Sequence, residues 1–336
     1  MPLPFILLGA AAVAGGTGLV SGGMGAKKVH DAKKIISSAQ YDYDKKKSEL
    51  DETEKKTTTC LDELGEQKLE IWKSFKRFSD AFEKIKNKPQ FTANNQDKLS
   101  FTKHELEEIQ NISITAIDIL GSSMLSAGAG ALAGFAAYSG TMALGVASTG
   151  TAISALSGAA ATNATLAALG GGAIGSSATA GGMALGTTVL GAAVAGPVVA
   201  VGGLLLNAKG NSSLLKAEEV RSEVAKAIRL MNESINYLNK LRGVSINLNS
   251  ELKQLFSVYE KQVSILEYLV SREIDYDIYS SDEKKIVENN IMLVKLLKQI
   301  TQVDLIKEFN GKDVVQEHTI KNEIINSKLV RNTLAA

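Results

Sequence analysis

The sequence predicts an all-α chain in which long amphipathic, coiled-coil-like helices flank an Ala/Gly-rich hydrophobic helical hairpin block. Three observations carry that expectation: charge is excluded from two stretches, the charged remainder repeats apolar residues at a 3-4 spacing, and proline and aromatic residues are scarce. The 336 residues hold 37 Lys+Arg and 36 Asp+Glu, a net charge of +1, yet residues 1–26 and 119–208 contain none of these charges. Of the 30 glycines, 26 lie in those two stretches. The balanced charge excludes a strongly basic nucleic-acid binder and an acidic disordered chain. Four prolines and 5% aromatic residues suit long helices and match a turn-rich β-sandwich poorly. The expected division is a 1–26 N-terminal apolar segment, a 27–118 amphipathic helical region, a 119–208 charge-free block, a 209–306 long helical region and a 307–336 polar tail.

The first segment runs from Met1 through an Ala/Gly stretch, and its first basic residues, Lys27, Lys28, Lys33 and Lys34, come after it. A secretory signal places basic residues before the apolar run, so a cleaved signal is the less favoured reading. If the segment spans a bilayer, the positive-inside rule leaves residue 27 onward in the cytoplasm.

In the 27–118 region a 3-4 series begins at Leu61 and continues through Leu64, Lys68, Ile71, Phe75, Phe78, Phe82 and Ile85. Seven of these eight positions are apolar, the pattern of a helix that buries a narrow seam against a partner helix. Lys88-Pro89 should end it, because the residue before proline avoids the helical region. Residues 90–100 read as a loop, Ser100 or Thr102 can cap a second helix, and Thr102 with Glu105 has the spacing of a capping box.

The charge-free block contains 19 glycines and 25 alanines. Met142-Ala143-Leu144-Gly145 with Gly150 returns 41 residues later as Met183-Ala184-Leu185-Gly186 with Gly191, which reads as two related helical units. Small residues four apart, such as Ser126, Gly130 and Gly134 or Ala178, Gly182 and Gly186, let helix backbones approach closely. The strongest candidate span is Met183 to Leu206, within which Pro197 is tolerable if neighbouring helices satisfy the freed carbonyl. The residues expected to pack these helices in the membrane are Gly130, Gly134, Gly145, Gly150, Gly171, Gly175, Gly182, Gly186, Gly191, Gly196 and Pro197. Against insertion stands the weak contribution of Ala and Gly compared with Leu, Ile, Phe and Val. That marginality suits a hairpin hidden in solution and exposed at a bilayer.

The 209–306 region carries a second 3-4 series from Ala217 to Leu269, in which Gly243 is a candidate bend. An amphipathic segment over about 283–306 follows, and the tail after Phe309-Asn310-Gly311 is weakly patterned.

The chain resembles a family of uncharacterised bacterial proteins that pair a glycine-zipper-like block with coiled-coil flanks. The residues that carry the likeness are Gly145 to Gly172, Gly191 to Gly203 and the opening Pro4-Phe5-Ile6-Leu7, and it extends over residues 1–270. It implies a bacterial membrane-associated protein and brings no established activity or catalytic residues. A looser likeness, of architecture only, is to the α-helical pore-forming toxins, which sheathe a hydrophobic hairpin in long helices.

Motifs for chemistry are weak. Gly170-Gly171-Gly172-Ala173-Ile174-Gly175 matches a dinucleotide fingerprint, but no strand precedes it and the next acidic residue is Glu218. Ser213 and Lys216 have acyl-transfer spacing without its companion motifs. His30, His104 and His318 lie far apart, and Cys60 stands alone, so neither metal-ligand spacing nor a disulfide framework is present. The expectation is therefore a non-enzymatic membrane-active protein without cofactor or metal, with pore formation as its narrower form. Its partners would be a lipid bilayer and a homo-oligomeric or coiled-coil partner, with no nucleic acid. Its place would be the bacterial inner membrane, or the cytoplasm with transfer to that membrane, and soluble export stays open. The alternatives are a membrane-anchored coiled-coil scaffold without pore activity and a soluble helical bundle with a glycine-rich core.

Overall fold

The computed structural model describes residues 24–88, 101–121, 132–137, 214–309 and 312–335, and over these the chain is all-α. Its helices are α1 (Met24–Lys84), α2 (Lys103–Gly121), α3 (Leu214–Arg272), α4 (Ser281–Thr301) and α5 (Glu317–Ala335). A 3₁₀ turn at Tyr276–Ile278 precedes α4. A hairpin of β1 (Ile306–Phe309) and β2 (Lys312–Val315) precedes α5. Residues fall into two compact units, 1–45 with 198–228 and 46–197 with 229–336. Among the described residues no helix is long and apolar enough to cross a membrane.

In the second unit, α1 and α3 pack along the seams that the 3-4 spacing marks. Leu61, Leu64, Ile71, Phe75, Phe78, Phe82 and Ile85 are buried, and so is Lys68. From α3, Met231, Leu238, Leu241, Leu248, Leu252, Leu255, Tyr259, Leu266 and Leu269 are buried. Cross-links rise together along both helices, so the pair is parallel. Thr57 Oγ1 donates to Leu238 O (3.3 Å), the Tyr259 hydroxyl to Ser74 O (3.1 Å), and Arg77 reaches Glu260, Ser264 and Glu267 at 2.6–3.0 Å. A parallel pair needs a long return connection, which the chain between α1 and α3 provides.

Helix ends follow local chemistry. α1 stops at Lys84, short of Lys88-Pro89, because the chain there joins a bridge to the end of α3. Lys86 N–H donates to Ile274 O (2.7 Å), Tyr276 N–H donates to Lys86 O (3.1 Å), and Asn87 adopts φ 54°. Asparagine tolerates that left-handed conformation better than most residues. Thr102 and Glu105 form the capping box of α2, with Glu105 N–H donating to Thr102 Oγ1 (3.1 Å) and Thr102 N–H to Glu105 Oε2 (2.7 Å). Ser280 and Glu283 do the same for α4. α4 turns back along α3, with Asn290 Nδ2 donating to Gln262 O at 3.1 Å. Gly243 does not interrupt α3, which is continuous to Arg272. The tail is structured: an antiparallel hairpin pairs Phe309 with Lys312, and α5 docks on α3.

In the first unit both long helices begin. Ala32, Ile36, Ala39 and Tyr43 of α1 and Ala217, Val220, Val224 and Ala227 of α3 are buried at 3-4 spacing. Lys34, Ser38 and Asp42 near the start of α1 line one groove of about 330 Å³ with Arg221, Ala225 and Ile228 near the start of α3. The helices therefore start at the same end of this unit. Residues 1–23 run into α1 and residues up to Ser213 run into α3 there.

Candidate functional site

The charge-free block meets the charged helices where residues 132–137 sit against α1 in the second unit. Leu132, Ala133, Phe135, Ala136 and Ala137 are buried, and residues 133–137 are helical. The seat is one stripe of α1 at a 3-3-4 spacing: Asp62, Gly65, Lys68 and Trp72. Side chains three and four apart share a helix face, so these four act on one short segment.

Each of the four has a distinct task. Asp62 Oδ1 accepts the N–H of Leu132 at 3.0 Å, satisfying a backbone donor at the start of the segment. Gly65 permits close approach: a Cβ there would lie 2.7 Å from Leu132 O and 2.8 Å from Leu132 Cβ. Trp72 packs edge-on to Phe135 with ring centroids 5.1 Å apart, and its Nε1 donates to Thr301 Oγ1 at 2.7 Å. Lys68 Nζ donates to Ala136 O (3.0 Å) and to Val303 O (3.3 Å). A cationic donor on carbonyls at the C-terminal end of a helical segment complements the local dipole. Leu305 N–H completes the hold by donating to Ala137 O at 2.8 Å.

Lys68 is fully buried, and that burial pushes its ammonium down to about 7, while the negative charge of Asp304 pulls the other way. Desolvation disfavours the charged form of an amine, which accounts for the direction. Three elements are thereby joined through one side chain: α1, the charge-free block and the chain leaving α4.

Of the residues expected to pack the block in a membrane, Gly134 lies in this seat, half-exposed between buried Ala133 and Phe135. Gly130, Gly145, Gly150, Gly171, Gly175, Gly182, Gly186, Gly191, Gly196 and Pro197 lie outside the described residues. The sequence reading passed over Asp62, Gly65 and Trp72, and met Lys68 only as the charged exception in an apolar seam. That exception was the available signal, since a lysine at a seam position must find acceptors once buried.

Elsewhere the side-chain chemistry is sparse. The Cys60 thiol is half-buried and pushed up by that burial and by Glu63, which disfavours the thiolate. His30, His104 and His318 are exposed. Among the described residues no group of three His, Cys, Asp or Glu is placed to hold a metal ion. Set against protein-family models, curated proteins and solved structures, the chain matches none.

Proposed function

We propose that this is a non-enzymatic membrane-active protein whose Ala/Gly-rich block enters or assembles in a bilayer, while the charged helices hold that block outside it. The observation that carries the reading is that the two long charged helices begin in one unit, each close to the end of a charge-free stretch of sequence. Residues 1–23 lead into α1 and the 119–208 block leads towards α3, and both helices start there. Charged helices that each begin close to the end of an uncharged stretch leave that stretch with no charge to carry across a bilayer. The block is long enough for up to about four crossings at roughly 20 residues each. The proposed setting is the bacterial inner membrane, reached from the cytoplasm, with oligomerisation through glycine faces such as Gly182, Gly186 and Gly191. A pore is the stronger form of the proposal.

The seat at 132–137 favours a second reading, in which the block packs as a glycine-rich protein core and the chain is a helical scaffold. Its buried Leu132 and Phe135 behave as core residues. Dye release from liposomes separates the readings. Release that rises with protein concentration, with stepwise conductance in planar bilayers, supports the pore. Membrane association without either supports an anchored scaffold, and neither association nor release supports the packed core.

A further inference from the structure

We infer that the end of the first unit where α1 and α3 begin is a docking surface for an anionic lipid bilayer. The inference rests on the membrane reading above and adds to it the lipid class and the contact residues. Over residues 24–38 and 214–221 the chain carries six basic residues, Lys27, Lys28, Lys33, Lys34, Lys216 and Arg221, against Asp31, Glu218 and Glu219. This local excess contrasts with a whole-chain charge of +1. Lys33 and Lys34 are exposed and no ion pair holds either among the described residues, whereas Arg221 pairs with Glu218 at 2.9 Å.

Apolar side chains accompany the charge. Leu215 is 86% exposed, Val29 40% and Leu214 39%. Val29 precedes Lys34 on α1 and Leu214 and Leu215 precede Arg221 on α3, and Lys34 and Arg221 line one groove, so the three lie towards the starting end of the unit. Lysines beside exposed aliphatic side chains fit the boundary of headgroups and acyl chains, where each group finds its own environment. A nucleic acid would use the lysines and leave Leu214 and Leu215 in water. Both helices begin there close to the end of a charge-free stretch of sequence, so a bilayer that takes up either stretch brings its headgroups towards Lys33 and Lys34.

The test is co-sedimentation of the full chain with vesicles of phosphatidylcholine alone and of phosphatidylcholine mixed with phosphatidylglycerol. Wild-type protein is expected to bind the mixed vesicles more tightly, with the preference shrinking as salt rises. The quadruple variant Lys27→Gln, Lys28→Gln, Lys33→Gln, Lys34→Gln should lose that preference by at least about tenfold, each lysine near an anionic surface contributing a comparable share. A matched variant with K73Q, K76Q, K253Q and K261Q, all at exposed positions of the second unit, should keep it. Leu215→Gln should weaken binding to both vesicle types alike. Equal binding of wild type to both vesicles overturns the docking surface and leaves the membrane reading standing. Loss of preference in the matched variant as well also overturns it. Absence of binding to either vesicle overturns both.

Discussion

Lys68 is buried at a position where an apolar residue would continue the seam, and its amine is held among carbonyl oxygens. In the unfolded chain it titrates near the usual lysine value of 10.5, and in the fold near about 7. Between those values the unfolded state binds more protons than the native state, so stability rises with pH from about 7 towards 10.5 and is flat below that window. The slope approaches about 1.4 kcal/mol per pH unit. Denaturant unfolding at pH 7, 8 and 9 should therefore show rising stability in the wild type and a shallower rise in Lys68→Met. Lys88 is also lowered by burial, but it titrates in both proteins, so the difference between them isolates Lys68. Two glycines in helices make a second residue-level contrast. At Gly243 a Cβ meets nothing within 4 Å, so Gly243→Ala should stabilise by about 1 kcal/mol. At Gly65 the added methyl meets the backbone of Leu132 at 2.7 Å, so Gly65→Ala should destabilise by about 1–3 kcal/mol and speed hydrogen exchange over residues 132–137. Sequence alone distinguishes neither glycine, because the contact that sets Gly65 apart comes from a segment 67 residues away.

At the scale of elements, α5 is the instructive case. Its anchor on α3 is polar: Glu251, 1% exposed, accepts from Ser327 Oγ at 2.9 Å and from Arg331 Nε at 3.2 Å. Removing one partner of a buried ion pair leaves a charge uncompensated, so Arg331→Met should cost about 2–4 kcal/mol. Hydrogen exchange should accelerate in α5 first, with α3 retaining its protection; uniform acceleration of both would sink this assignment. Because the anchor is an acid, a serine and an arginine, α5 has no regular apolar stripe, and periodicity read the segment as a tail. The hairpin before it had a usable signal in Asn310-Gly311, a pair favoured in two-residue turns, flanked by Ile306 and Val315. The α1 seam was legible from Leu61 onward, where Leu, Ile and Phe fill it. Upstream, buried Ile36, Tyr43 and Leu50 are interspersed with Ala32, Ala39, Thr53 and Thr57, which are buried too but carry too little hydrophobicity for the pattern to stand out. Thr102 with Glu105 was legible in full, since a capping box depends only on residues three apart. The stop of α1 at Lys84 was not, because a bridge to residue 274 and beyond sets it.

For the whole molecule, two kinds of sequence meet in one chain. In the second unit the charged helices α1 and α3 pack as a parallel pair, and the chain between them holds α2 and then the charge-free block. One part of that block, residues 132–137, is held against α1 in the second unit. Charge exclusion, the strongest feature of the sequence, thus marks the stretches that precede the starts of α1 and α3 in the chain. What the composition could not convey is that the polar helices grip the block through Asp62, Lys68 and Trp72. If the block enters a bilayer as proposed, loosening that grip should favour entry, so Gly65→Ala should raise the membrane-bound fraction relative to wild type in vesicle flotation. The most direct test of bilayer entry is alkaline-carbonate extraction of membranes from cells producing the full chain. Retention of the chain in the washed pellet, with a C-terminal tag open to protease from the cytoplasmic side, is the expected result. Quantitative release into the carbonate supernatant would contradict it.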